Sequence, residues 1–167
     1  MSPSRDGIGS LSENDALKLT SLLTSFVGET QAHAAFLCDR TGRLLTKSGN
    51  TAAMDNLTFA SLVAGDFAAS DQLARLLGEQ EFSSLYHAGE VLSMYLADVA
   101  GYGILAAVFD ARTTLGMIRL KSKATVPRLI SIFDEMARRP AEPLGIGMDS
   151  NWVSEAEGEI DRLFGDN

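Results

Sequence analysis

The chain predicts an α/β sandwich with the element order α-β-β-α-β-β-β-α, and three observations lead there. Pairs of apolar runs separated by turn residues lie on both sides of one long helical stretch, Phe59 to Gly78. Hairpins flanking a central helix imply a mostly antiparallel sheet with helices on its faces. A nearly all-apolar run, Ile104 to Phe109, has the composition of a central strand covered on both sides.

The first helix is predicted over Leu11 to Gly28. Leu11, Ala16, Leu19, Leu22, Leu23 and Phe26 recur at helical spacing, Ser12 to Asp15 supply cap candidates and first-turn acids, and Gly28 is the predicted stop. His33 to Asp39 reads as a buried strand, Thr41-Gly42 as a hairpin turn, and Arg43 to Lys47 as the returning strand. Asp55 is the predicted cap of the central helix. Phe82 to Ala88 forms a third strand. Leu92 to Val99 alternates, with Leu92, Met94, Leu96 and Asp98 on one side and Ser93, Tyr95, Ala97 and Val99 on the other. Gly101-Tyr102-Gly103 turns into Ile104 to Phe109. The last helix starts at a cap on Asp110 or Thr113 and runs to Ala137, with a kink or restart near Lys123 expected from Pro127.

These elements define a domain over residues 11–139, preceded by a short disordered lead, 1–10. Residues 140–152, with two prolines and two glycines, form a linker. Residues 153–167 form a C-terminal docking segment, in which Ser154 and Glu157 make a capping box and Val153, Ile160, Leu163 and Phe164 cluster.

A chain of 167 residues suffices for one domain with a full core. No apolar run approaches the roughly 18 residues that span a bilayer, so no membrane insertion is expected. The lone Cys38 fits a reducing, cytoplasmic compartment. Of the net charge of −8, residues 140–167 carry −6. The near-neutral domain argues against nucleic acid as a partner, and Arg119, Lys121 and Lys123 read as a solvated helix face.

The central helix has two unlike stripes. Phe59, Leu62, Val63, Ala69, Leu73, Leu76 and Leu77 are bulky and are expected to fill the core. Ala60, Ser61, Ala64, Gly65, Ala68 and Gln72 are small or polar, and are expected to receive a partner. Gly65 strengthens that reading, because a mid-helix glycine costs about 1 kcal/mol relative to alanine and close backbone approach explains its use.

Chemistry is sparse. There is no P-loop, GxGxxG, GxSxG or CxxC pattern. His33 and His87 have no metal-ligand spacing. Asp39 and Asp110 end core strands, where capping is the simplest role. Cys38 reads as an inert buried thiol. No catalytic residue, metal or cofactor is expected.

Several stretches together resemble the bacterial roadblock/light-chain-7 family, specifically its MglB-type regulators. They are Phe36 to Leu44, Leu62 to Ala69, Leu73 to Glu79, Glu81-Phe82, His87 to Glu90, Phe109-Asp110, Thr114 to Leu120 and Glu159 to Phe164. The resemblance implies the roadblock fold: a five-stranded antiparallel sheet with the central helix on one face and the two terminal helices on the other. It also implies a homodimer in which third strands pair edge to edge, here through Phe82, Ser84 and Tyr86, with the central helices side by side. Such regulators bind an MglA-like small Ras-like GTPase, two copies to one GTPase, and stimulate its hydrolysis of GTP without supplying an arginine finger. The matching surface here is Ser61, Ala64, Gly65, Ala68 and Gln72. The tail, through Ile160, Leu163 and Phe164, corresponds to a segment that docks on the GTPase away from the nucleotide.

The expected function is therefore GTPase activation in cell polarity or motility, in the cytoplasm with association at the cell pole. The alternatives are a roadblock scaffold that binds without stimulating hydrolysis, and a small-molecule sensor with a polar pocket between sheet and helix.

Overall fold

The computed structural model describes residue 8, residues 10–140, and residues 158, 159, 162 and 163. Within these, the order is α1 (Glu13–Thr30), β1 (Ala34–Asp39), β2 (Leu44–Gly49), α2 (Asn56–Leu76), β3 (Ser84–His87), β4 (Ser93–Val99), β5 (Gly103–Phe109) and α3 (Leu115–Arg138). The five strands form one antiparallel sheet in the order β2-β1-β5-β4-β3. Every residue of β1 and β5 is buried, as expected for two central strands that are apolar apart from the terminal Asp39.

Strand alternation builds two cores. Ala35, Leu37, Tyr95, Ala97, Leu105 and Ala107 meet Leu19, Leu23, Phe26, Ile118, Leu129 and Phe133 of α1 and α3. On the other face, Phe36, Cys38, Leu96, Ile104 and Ala106 meet Ala60, Val63, Ala64 and Phe67 of α2. The alternation read for β4 holds on both sides. These apolar side chains pack between α2 and the sheet.

The helix ends differ from expectation in several places. Ser12 is the cap of α1, and Asp15 reciprocates: Ser12 Oγ accepts from the Asp15 N–H, and the Asp15 carboxylate accepts from the Ser12 N–H, each at 3.1 Å. The helix runs through Gly28 and ends instead at Gln31, which adopts φ 59° and donates its N–H to the Val27 carbonyl. For α3 the cap is Thr114, whose hydroxyl accepts from the Met117 N–H, rather than Asp110 or Thr113. α3 continues across Pro127 without a break between Leu115 and Arg138. Asp55 caps α2 as predicted.

β2 starts at Leu44 and extends to Gly49, two residues past the predicted end. The turn before it is built by Asp39, whose Oδ1 accepts from the Thr41 N–H, the Thr41 hydroxyl and the Arg43 N–H. Burial opposes ionisation of Asp39, but these bonds outweigh it and hold its pKa below the usual carboxylate value. Gly42 is required here. It takes φ +91°, and a Cβ would lie 2.9 Å from the Ser61 Cα, so only glycine lets the hairpin tip pass under α2.

Most of the predicted lead, of the linker and of the docking segment lies outside the described residues; within the lead, Ile8 is partly buried against the α1–α3 core. Among the described residues, no helix is long and apolar enough to cross a membrane.

Candidate functional site

The sheet face beneath α2 decides which side of that helix is free. Phe36, Leu96 and Ile104 already project bulk from the strands. α2 therefore approaches through Ala60 and Ala64, with Val63 and Phe67 filling the space between. The expectation that the bulky stripe forms the core holds for Phe59 and Val63, which pack on the sheet, and is corrected for its leucines. Leu62, Leu73 and Leu76 are 68%, 57% and 83% exposed, and Leu57 and Leu77 are exposed as well. The small stripe splits: Ser61, Gly65, Ala68 and Gln72 are exposed, whereas Ala64 is 7% exposed and packs on the sheet. Ala64 thus has no side chain to offer a partner. A Cβ on Gly65 would meet nothing within 4 Å, so no close approach inside this chain accounts for that glycine.

Asp66 orients the exposed face. Its carboxylate lies 2.6 Å from His87 Nε2, on β3. Leu62, Ala69 and Leu73 stand four, three and seven positions from Asp66, on the same flank of the helix. The exposed apolar flank of α2 therefore leans toward β3, one of the two edge strands. β3 is shorter than predicted, Ser84–His87, so Phe82 precedes the strand and is not part of its edge. Ser84 pairs with Ala97 and Tyr86 with Tyr95. Tyr86 stacks on Phe109 on the α1–α3 side, with ring centroids 6.3 Å apart, while Leu85 packs on the α2 side. The other edge of β3 is outermost in the sheet, leaving backbone donors and acceptors for another strand.

The later part of α2 is held by Arg40. Its guanidinium donates to Asp71 at 3.2 Å and to Asp98 at 2.6 Å, and sits 4.8 Å from the centre of the Phe67 ring. This clamp joins the end of β1, α2 and the end of β4, so the exposed flank is carried on a fixed support.

Cys38 is buried, and burial pushes its thiol up to about 12. Asp110 accepts from the N–H and guanidinium of Arg112. Among the described residues, no group of three His, Cys, Asp or Glu is placed to hold a metal. Of the three tail residues, Ile160 and Phe164 lie outside the described residues, and Leu163 is exposed.

The five-stranded scaffold that carries this flank and edge is matched by known proteins. Residues 18–109 match the Roadblock/LC7 domain. The chain belongs to the Roadblock/LC7 family. Several solved relatives are of the MglB type. Myxococcus xanthus MglB is 33% identical, with a TM-score of 0.73 over 78% of this chain and 98% of that one. The gliding protein MglB of Thermus thermophilus is 32% identical, with a TM-score of 0.71 over 81% and 99%. A further MglB, described as having a tetrameric arrangement, is 31% identical, with a TM-score of 0.72 over 81% and 99%. Among curated proteins, no sequence matches the chain. The likeness of this roadblock protein to MglB extends over nearly the whole of each MglB chain.

Proposed function

We propose that this roadblock protein is a regulator that activates GTP hydrolysis by an MglA-like small GTPase, acting as a homodimer with two copies to one GTPase. Two copies would pair along β3, through Ser84 and Tyr86, and set their α2 helices side by side. The exposed flank of α2, with Leu62, Leu73 and Leu76 beside Ser61, Gly65, Ala68 and Gln72, would supply the surface shared between the second copy and the GTPase. The observation that carries this reading is the apolar α2 flank inclined toward an outermost strand, in a chain 33% identical to MglB. The tetrameric arrangement described for one MglB supports self-association of this kind.

The regulator's contribution is shape. It would hold the GTPase in the conformation in which the GTPase's own side chains reach the nucleotide, with no arginine supplied in trans. The acidic tail would add a second attachment to the same GTPase, raising avidity. The role in polarity or motility and the association with the cell pole belong to the same proposal.

The test is phosphate release from a GTP-loaded MglA-like GTPase of the same genome, with and without this protein. Stimulation supports activation. Binding without stimulation would favour the scaffold reading.

A further inference from the structure

A second surface lies across the sheet from α2, in the groove between α3 and the β3–β4 hairpin. We propose that this groove, of about 490 Å³, binds a small phosphate monoester.

Three features point to such a ligand. Arg119 and Lys123, one helical turn apart on α3, line the same wall. Their neighbour Lys121 is engaged by Glu29 at 2.7 Å, but among the described residues no carboxylate pairs with Arg119 or Lys123. Asp98, at the end of the groove, is already engaged by Arg40 and by the Gly101 N–H, so it does not neutralise them. The groove is therefore a concave site with two cations to spare.

The second feature is Ser122. It lines the groove between the two cations, is 2% exposed, and its hydroxyl has no hydrogen-bond partner. A mid-helix serine either reaches solvent or returns its hydroxyl to the carbonyl four residues earlier. Here that bond is absent, and a buried hydroxyl without a partner calls for one.

The third feature is the opposite wall, which is lined by two further serines, Ser83 and Ser84. Two cations among hydroxyl-bearing residues suit the several oxygens of a phosphate, with the arginine fork on two of them. Val126 and Pro127 form an apolar shelf for the organic part of the ester.

The experiment is a titration of the isotope-labelled full-length chain with phenyl phosphate and, separately, with inorganic phosphate, at constant ionic strength, followed by amide NMR. The proposal expects saturable shifts at Ser83, Ser84, Arg119, Ser122 and Lys123, with phenyl phosphate binding more tightly. The doubly substituted Arg119→Gln, Lys123→Gln chain should keep its spectrum elsewhere and bind at least about tenfold more weakly, the loss expected for charged hydrogen bonds. Ser122→Ala should weaken binding in the same direction. Non-saturating shifts, or equal responses at Lys18 and Arg128, would reduce the effect to counter-ion binding and overturn the proposal. Equal affinity for inorganic phosphate would overturn the monoester assignment. A concurrent shift at Glu159 would assign the groove to the chain's own acidic tail instead. Ser84 is shared with the proposed pairing along β3, whereas Arg119, Ser122 and Lys123 belong to α3, so loss of binding in the α3 variants with self-association unchanged separates this proposal from GTPase activation.

Discussion

Asp66 on α2 and His87 on β3 meet at 2.6 Å, joining the free flank of the central helix to the open edge of the sheet. Both side chains remain partly exposed, at 32% and 49%. Such a pair adds less than about 1 kcal/mol to stability. Its effect should be on alignment. Asp66→Ala is expected to leave thermal unfolding nearly unchanged and to weaken self-association measured by sedimentation equilibrium. A large loss of thermal stability with unchanged association would place the pair in the fold instead.

Substitutions at two positions of α2 should have opposite consequences. Leu73→Arg places charge on the exposed flank, and stability should change by no more than about 0.5 kcal/mol, as for ordinary surface positions. Association and GTPase binding should be lost. Ala64→Arg forces a long cation against the buried sheet face, and should leave little folded protein. Circular dichroism with size-exclusion chromatography separates the two outcomes. A folded Ala64→Arg chain would be incompatible with α2 packing on the sheet through Ala60 and Ala64.

Asp15 predicts an acid limb of stability. Burial opposes its ionisation, but hydrogen bonds from Arg139 and Ser12 outweigh burial and hold its pKa below the ordinary 3.8. Because the folded pKa is depressed, its contribution is fully present above 3.8. It is lost as pH falls through the lower folded value. Asp15→Asn should cost about 1–3 kcal/mol at pH 7, the range for a buried hydrogen-bonded charge. It should also flatten the fall in stability below pH 4. Urea unfolding of both chains between pH 2.5 and pH 7 measures this, and parallel pH profiles would sink the assignment.

The fold was legible because its signals are local. Alternation in Leu92 to Val99 and the apolar run in Ile104 to Phe109 report which sides of those strands are covered. The faces of α2 were not legible in the same way, because helical spacing shows that a face exists without showing what it meets. Of the small residues, Ala60 and Ala64 mark a close approach to the sheet of the same chain, whereas Ser61, Gly65, Ala68 and Gln72 stay exposed. Knowing the bulk of that sheet face would have assigned Ala60 and Ala64 to it and released Leu62 and Leu73. Gly28 misled for a related reason: the left-handed stop falls on Gln31, and nothing at Gly28 demands glycine. The Asp66–His87 contact joins residues 21 apart in sequence, and only the packing of α2 beside β3 brings them together.

If the exposed flank of α2, beside β3, lets two copies of this chain switch on one GTPase, stoichiometry and rate must move together. Single-turnover GTP hydrolysis by the MglA-like GTPase, followed as this protein is titrated in, reads both at once. The rate should rise to a plateau at two chains per GTPase, and Leu73→Arg should give no rise. An unchanged rate in a formed complex, or full stimulation by Leu73→Arg, would refute activation through this surface.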